Sequence, residues 1–181
     1  MKSIIANDEI ILPDFIETNI QHSKLRFKIP TTNNVEARPV RRKIVETAYK
    51  TFLTQMRGNN FVKNDFLDEK VHIIFRESYL KASNNAVRCW QTTYAVLHIY
   101  DVIKYAKPIV SDYIIDDIKT GFQKNNHYVK LYKFVYDFKH KTIPYMNFQV
   151  EILFGRKTTG ALVQYSIEYK KTVSKSMPKP I

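Results

Sequence analysis

The most regular feature of the chain is an alternation of apolar and polar residues in its last third. Three stretches show it, at residues 132–138, 146–154 and 161–169. Alternation with a period of two places apolar side chains on one face of a strand and polar side chains on the other. The glycines that bound residues 155–160 predict a hairpin loop. The pattern therefore predicts a three-strand antiparallel meander with one buried face and one solvent-exposed face.

A helical spacing of apolar residues marks an earlier part of the chain. Between residues 45 and 56 these positions fall on one side of a helix. Pro39 suits the first turn of that helix, and Gly58 suits a stop just beyond it. We therefore predict a helix over about 40–57.

A second apolar stripe at helical spacing runs from Ala86 to Ala106 and ends before Pro108. Ser83 or Asn84 precedes it and suits an N-cap. The stripe predicts one helix over about 86–106.

A short strand is predicted by the apolar side chains of Val71, Ile73 and Phe75. The polar stretch 76–85 after it predicts a turn or a short helix, and residues 111–126 predict a short helix and a loop. The order of elements predicts an α+β fold, in which N-terminal helices pack on one face of a roughly four-stranded antiparallel sheet.

The domain organisation follows from the same patterns. Residues 1–37 predict an irregular or partly helical N-terminal extension, and residues 38–171 a single α+β domain. Residues 172–181 contain two prolines and two lysines and predict a basic flexible tail.

The net charge of the chain, and its distribution, indicate the kind of partner and the part of the chain that would contact it. The chain of 181 residues carries 29 Lys and Arg against 17 Asp and Glu, a net charge of +12. Nucleic acid is the first partner this suggests, and an anionic membrane surface or an acidic protein the second. Residues 119–181 hold 12 of the basic residues and 3 of the acidic ones, so the C-terminal third provides most of the excess. A second basic cluster comprises Arg38, Arg41, Arg42 and Lys43, although such a run is usually a solvated helix start.

Several classes of function are disfavoured. The single cysteine, Cys89, excludes an internal disulfide and suits a packing role in a reducing compartment. The histidines are scattered, and the four glycines build no phosphate-binding loop, so we expect no metal and no cofactor. No apolar run is long enough for a signal peptide or a membrane span, which predicts a cytoplasmic protein without membrane contact.

A basic sheet rich in aromatic residues could act on RNA without a metal. Such cleavage needs a base for the 2′-hydroxyl, an acid for the 5′-leaving oxygen and cations for the phosphorane. Exposed aromatic side chains also stack on unpaired bases, although Tyr and Phe at a period of two more often belong to a core.

Five segments of the chain resemble one known group of folds. They are the stretch 71–83, the helix ending at 101–106 and the strands at 132–138, 148–153 and 165–168. Together they resemble the barnase/EndoU/colicin/RelE-like (BECR) fold, most closely the nuclease-like domains of large polyvalent proteins in phages and conjugative elements. The resemblance covers roughly residues 60–172 and implies a metal-independent endoribonuclease of the toxin type that leaves a cyclic phosphate.

The resemblance also implies roles for particular residues. The turn lysine and serine of the family fall on Lys81 and Ser83, and Tyr165 matches an aromatic residue of the last strand. Tyr132 stands where the family often has a histidine, and His127 lies five residues earlier. These five residues are the predicted catalytic set. The residues predicted to contact nucleic acid are Arg76, Lys130, Lys133, Arg156 and Lys157.

Two other functions stay open. The chain could be a non-catalytic module that binds nucleic acid or an acidic protein, such as a host defence factor or an antitoxin. It could also be a viral structural or interaction protein whose charge serves solubility. Convergence of the predicted catalytic residues on one concave surface would favour catalysis, and their dispersal would favour binding.

Overall fold

The computed structural model describes residues 11–108, 114–115 and 127–171. Within these ranges a short 3-10 helix lies at Pro144–Met146, and all the α-helices lie in the N-terminal two thirds of the chain. In chain order they are α1 (Ala37–Met56), α2 (Phe75–Ala86), α3 (Trp90–Leu97) and α4 (Ile99–Tyr105).

The strands of the described ranges precede α1, lie between α1 and α2, and follow α4. In chain order they are β1 (Phe15–Asn19), β2 (Arg26–Pro30), β3 (Phe61–Asn64), β4 (Glu69–His72), β5 (Ile114–Ile115), β6 (Tyr128–Phe138), β7 (Phe148–Lys157) and β8 (Leu162–Tyr169). The protein is therefore an α+β fold, as predicted.

The main sheet has six strands in the order β3-β4-β8-β7-β6-β5. Strand β4 runs parallel to β8, with Val71 opposite Leu162 and His72 opposite Val163. All other neighbours in this sheet are antiparallel. The prediction of a roughly four-stranded antiparallel sheet is thus wrong in the number of strands and in the direction of the β4–β8 pairing. This pairing joins segments about ninety residues apart, so no local sequence pattern indicates it.

The predicted meander is confirmed as β6, β7 and β8. The strand β7 continues through Lys157, so the turn that follows is shorter than the predicted loop at 155–160. A bulge lies where the pairing passes from Leu153–Ser166 to Phe154–Gln164, which leaves Tyr165 as the extra residue of β8. A bulge re-aims the side chain it carries, and residues 162–165 are consequently all buried rather than alternating.

The core lies between the sheet and the helices. Helix α1 buries Tyr49 and Phe52, and the Tyr49 hydroxyl donates to Oε1 of Gln164 at 2.7 Å. Helix α2 lies along β8: Oγ of Ser78 donates to the carbonyl oxygen of Gln164 at 2.7 Å. Asn85 adds a bond from Nδ2 to the carbonyl oxygen of Ile167 at 3.0 Å. These bonds fix α2 against the part of β8 that β4 does not reach.

The N-terminal segment differs from its prediction. Most of residues 15–30 belong to an antiparallel hairpin of β1 and β2, in which Ile16 pairs with Ile29, rather than to an irregular or helical extension. Both isoleucines are buried, and the hairpin is tied to α3 by the bond from the Gln21 N–H to the Leu97 carbonyl at 2.9 Å. The hairpin therefore belongs to the same core as the domain.

The middle of the chain also differs in detail. Phe75 begins α2 instead of ending a strand. The stretch 76–85 is helix throughout, which confirms the short helix, one of its two predicted alternatives. Ser83 lies inside α2 and caps nothing, since the residue before α3 is Cys89. The predicted helix over 86–106 is two helices that meet at His98. The predictions for residues 1–10, most of 111–126 and the tail 172–181 lie outside the described residues.

The second basic cluster is only partly available to a partner. Arg38, Arg42 and Lys43 are exposed on α1, but Arg41 is fully buried. Its guanidinium donates to the carbonyl oxygens of Pro30 at 2.9 Å, Thr32 at 2.7 Å and Val87 at 2.8 Å. Arg41 thus joins the hairpin to the helices, and burial lowers the pKa of its guanidinium.

Candidate functional site

The structure brings two of the five predicted catalytic residues together. The Nζ atom of Lys81 lies 5.6 Å from the ring centre of Tyr165. Tyr165 is only 4% exposed, and Ser83, on the same helix as Lys81, is also 4% exposed. No hydrogen bond, ion pair or ring contact among the described residues joins Ser83 to this pair. Burial of the serine and the tyrosine leaves little surface for a substrate at this point.

His127 and Tyr132 have other surroundings. His127 is exposed, has a positive φ of 62°, and its carbonyl accepts the N–H of Thr158 at 2.9 Å. Its backbone conformation identifies it as a turn residue at the start of β6. The ring of Tyr132 lies under the Arg156 guanidinium, 5.4 Å from its centre.

Two of the predicted nucleic-acid contacts are engaged inside the protein. Arg156 donates to both carboxylate oxygens of Glu69, at 2.6 and 3.0 Å. This bidentate bond raises the pKa of Arg156 and lowers the pKa of Glu69. Lys157 lies 2.7 Å from Oε1 of Glu77, with 17% of its side chain exposed. Neither cation is free to neutralise a phosphate without giving up its carboxylate.

The other three predicted contacts are at the surface. Arg76 and Lys130 are exposed, and Lys133 lies 3.8 Å from Oε2 of Glu151. The side of the meander that carries Lys133 also carries Glu151 and Glu168. This face is therefore of mixed charge, not the uniformly basic surface expected from the count of lysines.

Glu77 is the centre of a buried polar cluster that the sequence did not reveal. It lies in the first turn of α2 and accepts hydrogen bonds from the hydroxyl of Tyr128 and from Nζ of Lys157. Burial, followed by the bond to Glu77, raises the pKa of Tyr128, so its phenol remains a donor. Lys157 also lies 5.2 Å from the ring centre of Tyr128. The cluster joins α2 to the ends of β6 and β7.

A small apolar cluster surrounds this ion pair. Its buried members are Tyr128, Leu131, Val163 and Tyr165, with Leu153 packed against them. Leu131 and Leu153 lie on the face of the meander that was predicted to be solvent-exposed. The bulge brings Val163, which was predicted on the buried face, opposite Gly155 on this same face. The prediction of solvent exposure is wrong at this end of the sheet, because α2 and the bulge at Tyr165 cover it.

Gly155 allows Tyr128 to lie flat on the sheet. A Cβ atom on Gly155 would lie 2.5 Å from Cδ1 of the Tyr128 ring. We expect Gly155→Ala to lower the free energy of unfolding by about 1–3 kcal/mol, the usual cost of overpacking. Urea unfolding followed by Trp90 fluorescence measures it. In a Tyr128→Ala background the same substitution should cost less than about 0.5 kcal/mol, and an equal cost in both backgrounds would refute the steric cause.

A second feature lies at the opposite end of the meander, where β6 ends and β7 begins. It is a depression of about 520 Å³ whose aromatic side chains are Phe138 and Phe148. Their ring centres are 4.9 Å apart. The remaining lining residues are polar or charged: Asp137, Lys139, Asn147, Gln149, Lys170 and Lys171. We call it the lysine–aromatic depression.

The aromatic wall of this depression is firmly supported. Phe148 packs on Trp90 at 5.4 Å and on Tyr169 at 5.9 Å, measured between ring centres. Phe138 packs on Tyr94 at 5.3 Å. The loop between β6 and β7 is also tied down, because Oδ1 of Asn147 accepts the His140 N–H at 2.8 Å. A rigid wall of this kind loses little conformational entropy when a ligand packs against it.

The lysines of the depression are more available than Arg156 and Lys157. Lys139 and Lys171 are exposed, and neither forms an ion pair with any acidic residue in the described part of the chain. Lys170 is partly neutralised, with Glu168 at 3.2 Å and Glu151 at 3.8 Å. Asp137 is the acidic residue in the lining, and it accepts a hydrogen bond from Nε2 of Gln149 at 2.9 Å. The depression therefore has a net positive rim.

A neighbouring depression of about 540 Å³ shares part of this lining. It has Asp137, Lys139 and Gln149 in common with the first depression. Its other lining residues are Tyr105, Lys107, Pro108, Val135 and Tyr136. The Nζ atom of Lys104 lies 5.1 Å from the ring centre of Tyr105, which is 47% exposed.

The alternating pattern places Phe138 on the buried face of the meander and gives no functional role to Lys139, so it does not indicate where this site lies. A usable indication was present, since an alternating strand that ends in Phe138-Lys139 leaves its last aromatic residue at the rim of the sheet. Glu77 and Tyr128 gave no such indication, because their partners lie 80 and 51 residues away along the chain.

Other classes of site find little support in the described ranges. No group of three or more His, Cys, Asp or Glu residues there could hold a metal ion. None of the described helices is long and apolar enough to cross a membrane. Comparison with known protein families, curated proteins and solved structures finds no match to this chain.

Proposed function

We propose that this protein is a non-catalytic nucleic-acid-binding module. The observation that supports it is the lysine–aromatic depression, where β6 ends and β7 begins. Lys139 and Lys171 supply charge for phosphates, and Phe138 and Phe148 supply ring surface for bases. Single-stranded nucleic acids are bound by this combination of cations and aromatic faces.

The positions of the predicted catalytic residues support binding better than cleavage. Two of the five, Ser83 and Tyr165, are buried, and His127 is an exposed turn residue. Lys81 and Tyr165 lie together beside the structural pair of Glu77 and Lys157. The BECR resemblance and the metal-independent ribonuclease activity that it implies stay predictions.

The charge of the chain agrees with a polyanionic ligand. When a protein neutralises three phosphates of a single strand, a plot of log Kobs against the logarithm of the salt concentration has a slope of about −2. Lys107, Lys139 and Lys171 are three exposed lysines on the two depressions for which the described residues provide no acidic partner. We therefore expect a slope near this value.

The test is fluorescence anisotropy of the purified protein with a labelled single-stranded RNA, titrated from 50 to 300 mM salt in EDTA. Aliquots are then run on a denaturing gel. The proposal predicts salt-sensitive binding and intact RNA after prolonged incubation. Cleavage in EDTA would restore the ribonuclease hypothesis, and absence of binding at 50 mM salt would refute nucleic acid as the ligand.

An acidic protein as partner is distinguished in the same assay. Poly-glutamate offers carboxylates of similar charge density but no bases. If it displaces RNA at equal charge concentration, the aromatic wall contributes nothing and an acidic protein becomes the better hypothesis. We expect RNA to be retained.

A further inference from the structure

The two depressions at the end of the meander form one continuous surface. Asp137, Lys139 and Gln149 line both of them, so no ridge of other residues separates the two. Their volumes, about 520 and 540 Å³, are nearly equal. The shared lining residues place the two depressions side by side on this surface.

Each depression has an aromatic wall of its own. The first contains Phe138 and Phe148, and the second contains Tyr105 and Tyr136. The ring of Tyr136 lies 4.8 Å from that of Phe138, which connects the two walls. Both depressions thus offer ring surface to a flat apolar group.

The lysines have a matching arrangement. Lys139 lies on the wall that the two depressions share. Lys170 and Lys171 line the first depression alone, and Lys107 lines the second alone. Cations thus lie between the depressions and at each of them, whereas the aromatic walls lie within the depressions. A nucleic acid strand has the same alternation of phosphate and base.

Polar groups next to the rings can meet the edges of bases. Gln149 donates one amide N–H to Asp137, so its carbonyl oxygen, its second N–H and the other oxygen of Asp137 can meet a base. The amide of Asn147 is instead bonded within its own loop. A carboxylate in a basic site is unfavourable for phosphate, but it suits an exocyclic amino group such as N4 of cytosine. Asp137 therefore favours a base over a second phosphate at the shared wall.

From this arrangement, and resting on the proposed function, we propose that the site binds two consecutive unpaired nucleotides of a single strand. One base packs in each depression, and Lys139 binds the phosphate that links them. A duplex does not fit this mode, because its bases are stacked on one another and present no free faces to the protein.

The experiment compares four ligands of one length in anisotropy competition: a single-stranded 8-mer, its duplex, the same 8-mer with two adjacent abasic sites, and one with all positions abasic. All keep their phosphates, so differences report the bases. We expect the single strand to bind at least about tenfold more tightly than the fully abasic strand. The duplex should also bind more weakly than the single strand.

A matched pair of variants assigns the bases to the site. Tyr105→Leu removes an exposed ring from the second depression, whereas Phe15→Leu removes an equally exposed ring from β1. We expect Tyr105→Leu to reduce affinity for the 8-mer by roughly fivefold to tenfold while leaving affinity for the fully abasic strand unchanged. Phe15→Leu should change neither.

The outcomes separate this inference from the proposed function. If the duplex or the fully abasic strand binds as tightly as the 8-mer, the two-nucleotide mode is overturned while nucleic-acid binding stands. An equal effect of Tyr105→Leu on both strands, or no effect on either, overturns the assignment of a base to the second depression. If none of the four ligands binds, the proposed function itself fails.

Discussion

Replacing Glu77 with alanine should lower the free energy of unfolding by about 3–5 kcal/mol, the range found when one partner of a buried ion pair is removed. The substitution leaves Lys157 without its carboxylate in a site where 17% of the lysine side chain is exposed. It also leaves the hydroxyl of Tyr128 without its acceptor. Since domains of this size are stable by about 5–15 kcal/mol, this single change would remove a large share of the total.

Glu46 provides the matched control. It forms an ion pair of the same residue types with Lys50, at 2.7 Å, but on the exposed face of α1. Such surface pairs contribute about 0.3–0.5 kcal/mol, so Glu46→Ala should change stability little. Urea unfolding followed by Trp90 fluorescence measures both variants. A loss below about 1 kcal/mol for Glu77→Ala would show that the buried pair does not hold α2 to the sheet.

The elements that the sequence predicted best are those with a long regular period. Alternation over about forty residues specified the meander, and an apolar face of α1 with Tyr49 and Phe52 specified that helix. The hairpin of β1 and β2 was missed although Phe27 and Ile29 alternate with charged residues, because five-residue strands give a weak pattern. The break at His98 was missed because the apolar stripe continues across it.

Pairings distant in sequence could not be predicted. Nothing local indicates that β4 lies parallel to β8, since the register depends on how the intervening helices pack. The same limit applies to Arg156 and Lys157, which by sequence are basic residues of a predicted loop and in the fold are structural cations. Each is neutralised by a carboxylate about eighty residues earlier, Glu69 and Glu77 respectively.

The location of the candidate site followed from charge only in part. The excess of basic residues in the last third of the chain predicts that the meander contacts a polyanionic partner. On its open face, however, Lys133 and Lys170 lie near Glu151. The lysines without such partners are found instead at the strand ends, among them Lys139 and Lys171, where the sheet also leaves aromatic rings accessible.

Reversing the charge of both Lys139 and Lys171 should weaken binding of single-stranded RNA by about a hundredfold. Each reversal removes one phosphate contact and adds a repulsive carboxylate, and about tenfold for each is the expected scale. The slope of log Kobs against log salt should become shallower by about 1.4, since two of the phosphate contacts are lost. Both lysines are exposed, so the fold should be unaffected.

The most direct measurement of the central claim is the RNA dissociation constant of Lys139→Glu/Lys171→Glu beside that of Arg38→Glu/Arg42→Glu. Both double variants change the net charge equally, and Arg38 and Arg42 are exposed on α1 and line neither depression. We predict a loss of about a hundredfold for the first and less than about threefold for the second. Equal losses, or a larger loss from the α1 variant, would show that RNA is not bound at the lysine–aromatic depression.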